Sequence, residues 1–298
     1  MSDHELLLVH HLRVEAANTI SSPITYGLPA VTHFMGFAHR LQRLVRERTG
    51  VSDWSVHGVG IICHRIRVLA EYFGGGKNRF TLTGNPLTRQ GNRPSFVEEG
   101  RCHLDVSLVL ECDPVWDQTA TQSISELIFA KTRLAGGTIL YPPKVLSVAD
   151  DPRVLRRLIP GWVLMERRDL LSEDMAAGKP VMDALHDRLA VTFRSVHDES
   201  EDASSGQTHW QGRRMQNGVI VPVAVGYQAV APETPSNNAR DRETPHRFAE
   251  SVVTLGEFVM PGRLQSPTDM LWRYHHKGDL YVCQQSPIGD GSPALPTR

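Results

Sequence analysis

The 298-residue chain has little cysteine, no excess of charge of one sign and no long apolar run. Its four cysteines, Cys63, Cys102, Cys112 and Cys283, are too irregularly spaced for a disulfide framework, and none forms C-x-x-C with another. A reducing, cytoplasmic setting is expected. No run approaches the roughly 20 apolar residues that span a bilayer; the uncharged stretch 216–232, for one, is broken by Asn217, prolines and glycines. The opening MSDHELLLV carries acids where a secretory signal needs bases, so neither export nor a membrane partner is expected. Lys plus Arg number 32 against 33 Asp plus Glu, a formal net charge of -1, which gives no global attraction for a polyanion. A nucleic-acid binder of this composition must concentrate its cations locally.

What is present is an ordinary globular mixture, with 40% hydrophobic and 22% charged residues. The length suits about two domains of ~150 residues, or one with large insertions. Alternation predicts a strand over 6–15, with Leu8, His10, Leu12 and Val14 on one face and Val9, His11, Arg13 and Glu15 on the other. Residues 32–48 place Phe34, Leu41, Leu44 and Val45 at helical spacing, with Thr32 as N-cap and Gly50 as the stop. Strands are predicted at 57–70, 101–111 and 161–167, and a second helix over 122–134 ending at Gly136-Gly137. Strand, helix, strand, strand, helix, strand is the order of a ferredoxin-like or RNA-recognition-motif unit, an α+β fold with an antiparallel sheet. This gives a head of residues 1–71 and 101–197, an inserted hairpin over 72–100 and an acidic linker over 198–206. A C-terminal extension over 207–298 packs on the head, with a β segment at 218–230, a helical stretch near 248–258 and a last strand near 280–284.

Fourteen histidines invite a metal reading, but no zinc spacing occurs, and the pairs His10-His11 and His275-His276 are adjacent, which on a strand puts the rings on opposite faces. No metal and no cofactor is expected. Gly74-Gly-Gly-Lys77 lacks the phosphate-loop spacing, and no G-x-S-x-G elbow occurs. The 72–100 excursion instead interleaves Lys77, Arg79, Arg89 and Arg93 with Phe80 and Phe96. Cations meet phosphates while rings stack on bases, so the pattern suits a nucleic-acid strand; a solvated hairpin accounts for it equally well. Arg40 and Arg43 sit a turn apart on the polar side of the first helix. In the run NARDRETPHRF, Arg240 and Arg242 alternate with Asp241 and Glu243, followed by Arg247 and Phe248. The acids can orient these guanidinium groups, or the run can be a structural ion-pair network.

Several blocks together make the chain recognisable. They are ANTISSPITYGLP (17–29), GVGIICH (58–64), VEEGRCHLDVS (97–107), LAGGTIL (134–140), RLIPG (157–161), NARDRETP (238–245) and LWRYHH (271–276). In order and spacing the chain resembles the small subunit of the type I-F CRISPR surveillance, or Csy, complex, nearly end to end. The resemblance implies a non-catalytic RNA-binding subunit with an RNA-recognition-motif-like head and a protruding thumb, which the 72–100 hairpin would supply. It implies as partners the CRISPR RNA 5′ handle, the large subunit and the adjacent backbone subunit, with target double-stranded DNA as a further candidate. Asn18, Ser21, Ser22 and Tyr26, like Arg240 and Arg242, lie inside matching blocks, and Arg247 lies two residues beyond one. With Arg40, Lys77, Arg79, Phe80, Arg89, Arg93 and Phe248 they form the expected RNA-binding set. The rival is a metal-independent endoribonuclease of the same fold that processes precursor RNA, for which His64, His103, His275 and Tyr274 are the candidate acids and bases. A protein-interaction module without RNA contact is the third alternative.

Overall fold

The structure, a computed structural model, describes residues 4–72, 78–116, 119–197, 208–215, 218–234 and 246–285. Lys77, Arg240, Arg242 and the acidic 198–206 segment lie outside the described residues.

The chain opens with strand β1 (Glu5–Asn18), then helix α1 (Val31–Thr49), strands β2 (Val56–Leu69) and β3 (Arg101–Cys112), helix α2 (Ala120–Lys131) and strand β4 (Lys144–Val148). The four strands lie side by side in the order β4-β1-β3-β2, each antiparallel to its neighbours. Both helices bury their apolar stripes against one face of this sheet: Phe34, Leu41 and Leu44 of α1, with Ile124 and Ile128 of α2, share a core with Leu7, Leu12, Val14, Val106 and Leu108. Gly50, left-handed at φ 74, returns its N–H to the Arg46 carbonyl and closes α1 as its position predicts. The start differs, because Ala30 and not Thr32 occupies the N-cap and no side chain caps it.

The structure corrects four further expectations. β1 carries two bulges, between Val9 and Leu12 and between Val14 and Ala17, where His11 and Ala16 take φ of 51 and 54. Each extra residue shifts the alternation, so Leu7 and Val9 share the helix-side core with Leu12 and Val14 while Leu8 faces a second core with Leu6, Ile62 and Val109. The fourth strand of this sheet is Lys144–Val148, a five-residue piece directly after Pro142-Pro143. The segment predicted for that place, strand β5 (Trp162–Glu166), pairs instead with β2, through Trp162↔Cys63 and Val163↔Ile62. α2 stops at Lys131, with Thr132 extended, well short of the two glycines.

Beyond β5, helices α3 (Arg168–Ala176) and α4 (Val181–Leu189) pack on strands β6 (Val219–Ala229) and β7 (Ala249–Val259), burying Leu170, Leu171, Leu185, Ile220 and Leu255 together. β7 is the segment expected as a helix. Its run of β-branched Val252, Val253 and Thr254 pairs with β6, and Gly256 to Val259 further along pair with β5 on the other edge. Strands β8 (Leu271–Lys277) and β9 (Leu280–Gln284) complete the sheet, in the order β2-β5-β7-β6-β9-β8. β8 then returns to β2 through Leu271↔Gly60 and Trp272↔Val59, so these six strands close a ring. The C-terminal strands thus continue the same hydrogen-bonded sheet as the first four.

Gly226 sits at the bulge of β6 where it meets β9; a Cβ there would lie 2.1 Å from the Tyr281 carbonyl oxygen and 2.7 Å from Val282 Cα. Both obstacles are backbone, so Gly226→Ala must part the two strands. A loss of ~1–3 kcal/mol, the range for overpacking, is expected in chemical denaturation. An unchanged midpoint would rule out this close approach.

Beyond the ends of β2 and β3 lie two small ribbons, Glu71–Tyr72 with Asn78–Arg79 and Thr81–Gly84 with Phe96–Glu99.

Candidate nucleic-acid interface

Helices cover one face of the β4-β1-β3-β2 sheet. On the other face the strand register aligns polar side chains in rows. Arg13 of β1 pairs with Asp105 of β3, which pairs with Arg65 of β2; two residues along, His103 pairs with Arg67. With Glu15 and Leu140 they line a depression of about 390 Å³. Asp105 holds Arg13 only loosely, at 3.8 Å, because its other oxygen accepts a hydrogen bond from His11 Nδ1 at 2.8 Å. Arg65 and Arg67 are exposed and make no ion pair among the described residues. Three guanidinium groups against two carboxylates leave this face locally basic within a neutral chain. Sequence reading placed Arg13 and Glu15 on a polar face but gave Arg13, Arg65, Arg67 and His103 no role in binding. The alternation His64-Arg65-Ile66-Arg67 was visible, and only the register joins it to Arg13.

Beside the depression lies an imidazole cluster. The bulge turns His10 and His11 towards each other, edge to face at 4.4 Å, contrary to the opposite-face expectation, and His11 stacks on His64 at 4.1 Å. His64 is held at both nitrogens, Nε2 against Ser107 Oγ at 2.7 Å and Nδ1 against the Pro160 carbonyl at 2.5 Å. Burial lowers the pKa of His64, and likewise those of His10 and His33. All three are therefore easier to protonate in the unfolded chain. Their contribution to stability is complete above the unfolded value near 6.5 and is lost as pH falls below it. Melting temperature is accordingly expected to fall from pH 7 to pH 5, and a flat profile would contradict this assignment.

The expected RNA-binding residues fall into separate groups. Tyr26, 56% exposed, meets Phe80 edge to face at 5.3 Å, which brings the 17–29 block against the inserted ribbons. The junction is tight: Thr19 N–H donates to the Gly100 carbonyl at 3.1 Å, and a Cβ on Gly100 would sit 2.6 Å from Ile20 Cγ1. Asn18, Ser21 and Ser22 shape this bend. Asn18 Nδ2 donates to the Ile20 carbonyl, Ser21 Oγ to the Leu28 carbonyl, and Ser22 Oγ bonds Thr25 Oγ1. Arg79, Arg89 and Arg93 are exposed on the ribbons and their connecting loop, and Arg89 and Arg93 make no ion pair among the described residues. Arg40 is exposed on α1, on the helix side of the sheet and away from the depression. Arg247 bonds Asp279 at 2.7 Å and the Ala231 carbonyl at 3.3 Å, while the adjacent Phe248 is 78% exposed.

Among the described residues, one group of donors could hold a cation: His4, His57 and Asp113, from the strand ends, offer ligand atoms within 4.8 Å of one another. They are already partnered, with His57 Nε2 at 2.7 Å from one Asp113 oxygen and the Ser55 N–H donating to the other at 2.7 Å. Of the nuclease candidates, Tyr274 packs on Tyr281 at 5.0 Å between ring centroids, and burial, reinforced by that neighbour, pushes its hydroxyl far up from its ordinary value.

Residues 7–283 match the family model described as CRISPR-associated protein (Cas_Csy2). The CRISPR-associated protein Csy2 of Pseudomonas aeruginosa (strain UCBPP-PA14) is 38% identical over 305 residues, covering 91% of this chain and 91% of its own. A solved chain described as CRISPR RNA-guided surveillance complex aligns over 71% of this chain and 88% of its own, at 16% identity and a TM-score of 0.30, too low to carry an argument. A family match across nearly the whole length, joined to 38% identity with a curated member, decides the question that the residues raised: the chain belongs to the Cas_Csy2 family of CRISPR-associated proteins.

Proposed function

We propose that the chain is a non-catalytic subunit of a type I-F CRISPR effector complex, in the cytoplasm, which holds the 5′ handle of the CRISPR RNA together with the large subunit. The strand order β4-β1-β3-β2, with two helices on one face, supports reading its first half as a ferredoxin-like, RNA-recognition-motif-like head. The ribbons over 72–100 serve as the thumb. The observation that carries the proposal is the succession along β2 from the basic depression, through Arg65 and Arg67, to the Tyr26–Phe80 contact at the thumb's base. Arginines there clamp handle phosphates while exposed rings stack on splayed bases. Arg79, Arg89 and Arg93 extend the path along the thumb, and Asn18, Ser21 and Ser22 hold Tyr26 in place. Arg240, Arg242, Arg247 and Phe248 form a second contact region, and Arg40 and Lys77 lesser ones. The adjacent backbone subunit continues the RNA path, and recognition of foreign DNA rests on the guide.

Co-expression with the partner genes tests this. The purified complex should have an absorbance ratio dominated by nucleic acid and yield handle-bearing RNA of uniform length; a stable complex without RNA would refute it. The imidazole cluster next to the basic depression is the one observation that favours an endoribonuclease. Incubated with precursor RNA in EDTA, the isolated chain is expected to leave it intact, and discrete fragments would establish the rival.

A further inference from the structure

His4 immediately precedes β1, His57 stands near the start of β2, and Asp113 immediately follows β3, the strand between them. The register brings the three positions level, since Cys112 pairs with both Glu5 and Val56. His57 is the irregular residue, because the β2–β3 register shifts between Val56 and Gly58. A bulge of this kind re-aims a side chain, and here the His57 ring meets Asp113, with Nε2 2.7 Å from Oδ1. His4 Nδ1 lies 3.8 Å from the same oxygen, and the two imidazole centroids are 4.3 Å apart. A hydrogen bond to Asp113 accounts for His57, but His4 is too distant for one and still points at the shared oxygen. Asp113 is itself held fast. Its Oδ2 accepts the Ser55 N–H at 2.7 Å, its carbonyl accepts the Trp54 indole N–H at 2.9 Å, and its own N–H donates to the Ser55 carbonyl at 3.0 Å. These bonds orient the carboxylate and leave Oδ1 to the imidazoles, the support that a metal ligand receives from its surroundings.

The donor set chooses the ion. Two imidazole nitrogens disfavour Ca²⁺ and Mg²⁺, which take oxygen ligands, and the lack of a thiolate disfavours Cu(I). Two histidines and a carboxylate, with water in a fourth position, suit Zn²⁺. Bonds of about 2.0–2.1 Å to a tetrahedral ion set neighbouring ligand atoms ~3.3 Å apart. The separations of 2.7 and 3.8 Å straddle that value, and no pair exceeds 4.8 Å, so turning the two histidine side chains closes the set without moving a strand. All three side chains are about one-third exposed, which lets an ion reach them. We infer that His4, His57 and Asp113 bind one zinc ion, which clips the ends of β1, β2 and β3 together. On binding, His57 exchanges its hydrogen bond to Asp113 for a bond to the ion and carries its proton on Nδ1. The sequence shows no zinc spacing because the ligands come from three separate strands and only the register joins them. The clip shares no residue with the basic depression and needs nothing from the RNA-holding role.

The test uses the full chain without an affinity tag, stripped with EDTA and dialysed. Zinc titrated by calorimetry should bind as one ion per chain, and cobalt(II) in its place should give the strong visible absorption of a four-coordinate site. With zinc at about 100 times its Kd, the melting temperature should rise by roughly 4 °C. His57→Gln and Asp113→Asn are close in size to the parent residues and should each weaken zinc binding on the order of 100-fold, at least what losing a supporting residue costs. His276→Gln, at an exposed histidine elsewhere, should bind as the parent does. Melts in EDTA establish that the variants fold. X-ray absorption of the zinc-loaded parent depends on no variant and should show two imidazoles on each zinc. No zinc binding by the parent, a zinc shell without two imidazoles, or parent-like affinity in both His57→Gln and Asp113→Asn would each overturn the inference. So would equal weakening by His276→Gln, the mark of scattered histidine binding. A complex without RNA would leave every one of these readings unchanged, so the two proposals fail separately.

Discussion

Replacing Arg13, Arg65 and Arg67 together with Ala is expected to weaken handle RNA binding on the order of 100-fold. Each exposed guanidinium contributes about 1 kcal/mol to phosphate binding once solvent screening is allowed for, ~3 kcal/mol in all. The salt dependence should change with it. For single strands the slope of log K against log salt is about −0.7 per phosphate neutralised, so losing three contacts flattens it by roughly 2. Titrating labelled handle RNA into the purified subunit pair between low and moderate salt measures both quantities. Because the three side chains lie on the solvent face of β1 and β2, the variant should melt close to the parent. An unchanged slope would remove the sheet face from the RNA path and leave the thumb alone to explain binding.

The second large effect concerns the ring of strands. Trp272 is fully buried at the β8–β2 closure, and its indole Nε1 donates to the Leu164 carbonyl of β5 at 3.2 Å. One side chain thereby fills the ring and ties two of its strands. Trp272→Ala removes the volume and the bond together and should cost ~3–5 kcal/mol. For a chain of this size that is a fall in melting temperature of roughly 5–8 °C. Trp210, 71% exposed, provides the contrast, since Trp210→Ala should change stability by less than ~0.5 kcal/mol. Similar melting temperatures for the two variants would show that the ring does not close around Trp272.

Local signals carried much of this fold. The apolar period of α1, its glycine stop and the alternation of β3 were legible because each is decided by residues within one segment. The bulges of β1 were not, since nothing about His11 or Ala16 as residue types requires a positive φ; the partner strand imposes it. β7 was misread for a related reason, as Glu250–Phe258 carries a helical apolar spacing that loses to two flanking strands. Lys144–Val148 was overlooked because five residues after two prolines look like a loop until β1 supplies the edge.

The candidate interface divides in the same way. Tyr26 and Phe80 were each singled out, but their contact joins residues 54 positions apart, which no local pattern encodes. Arg13 and Arg65 were passed over because a charged residue on an exposed strand face is ordinary by itself. Only the order β1-β3-β2 makes a row of them. The neutral net charge likewise hid a basic face by averaging it with acids elsewhere.

Ultraviolet crosslinking of the assembled complex, followed by mass spectrometric mapping of RNA adducts on this chain, addresses RNA holding most directly. Adducts are expected at Tyr26 and Phe80, whose rings can stack on bases, and in the peptides of β1 and β2 that carry Arg13, Arg65 and Arg67. An RNA-containing complex in which this chain carries no adduct, while its partners do, would contradict the proposed role.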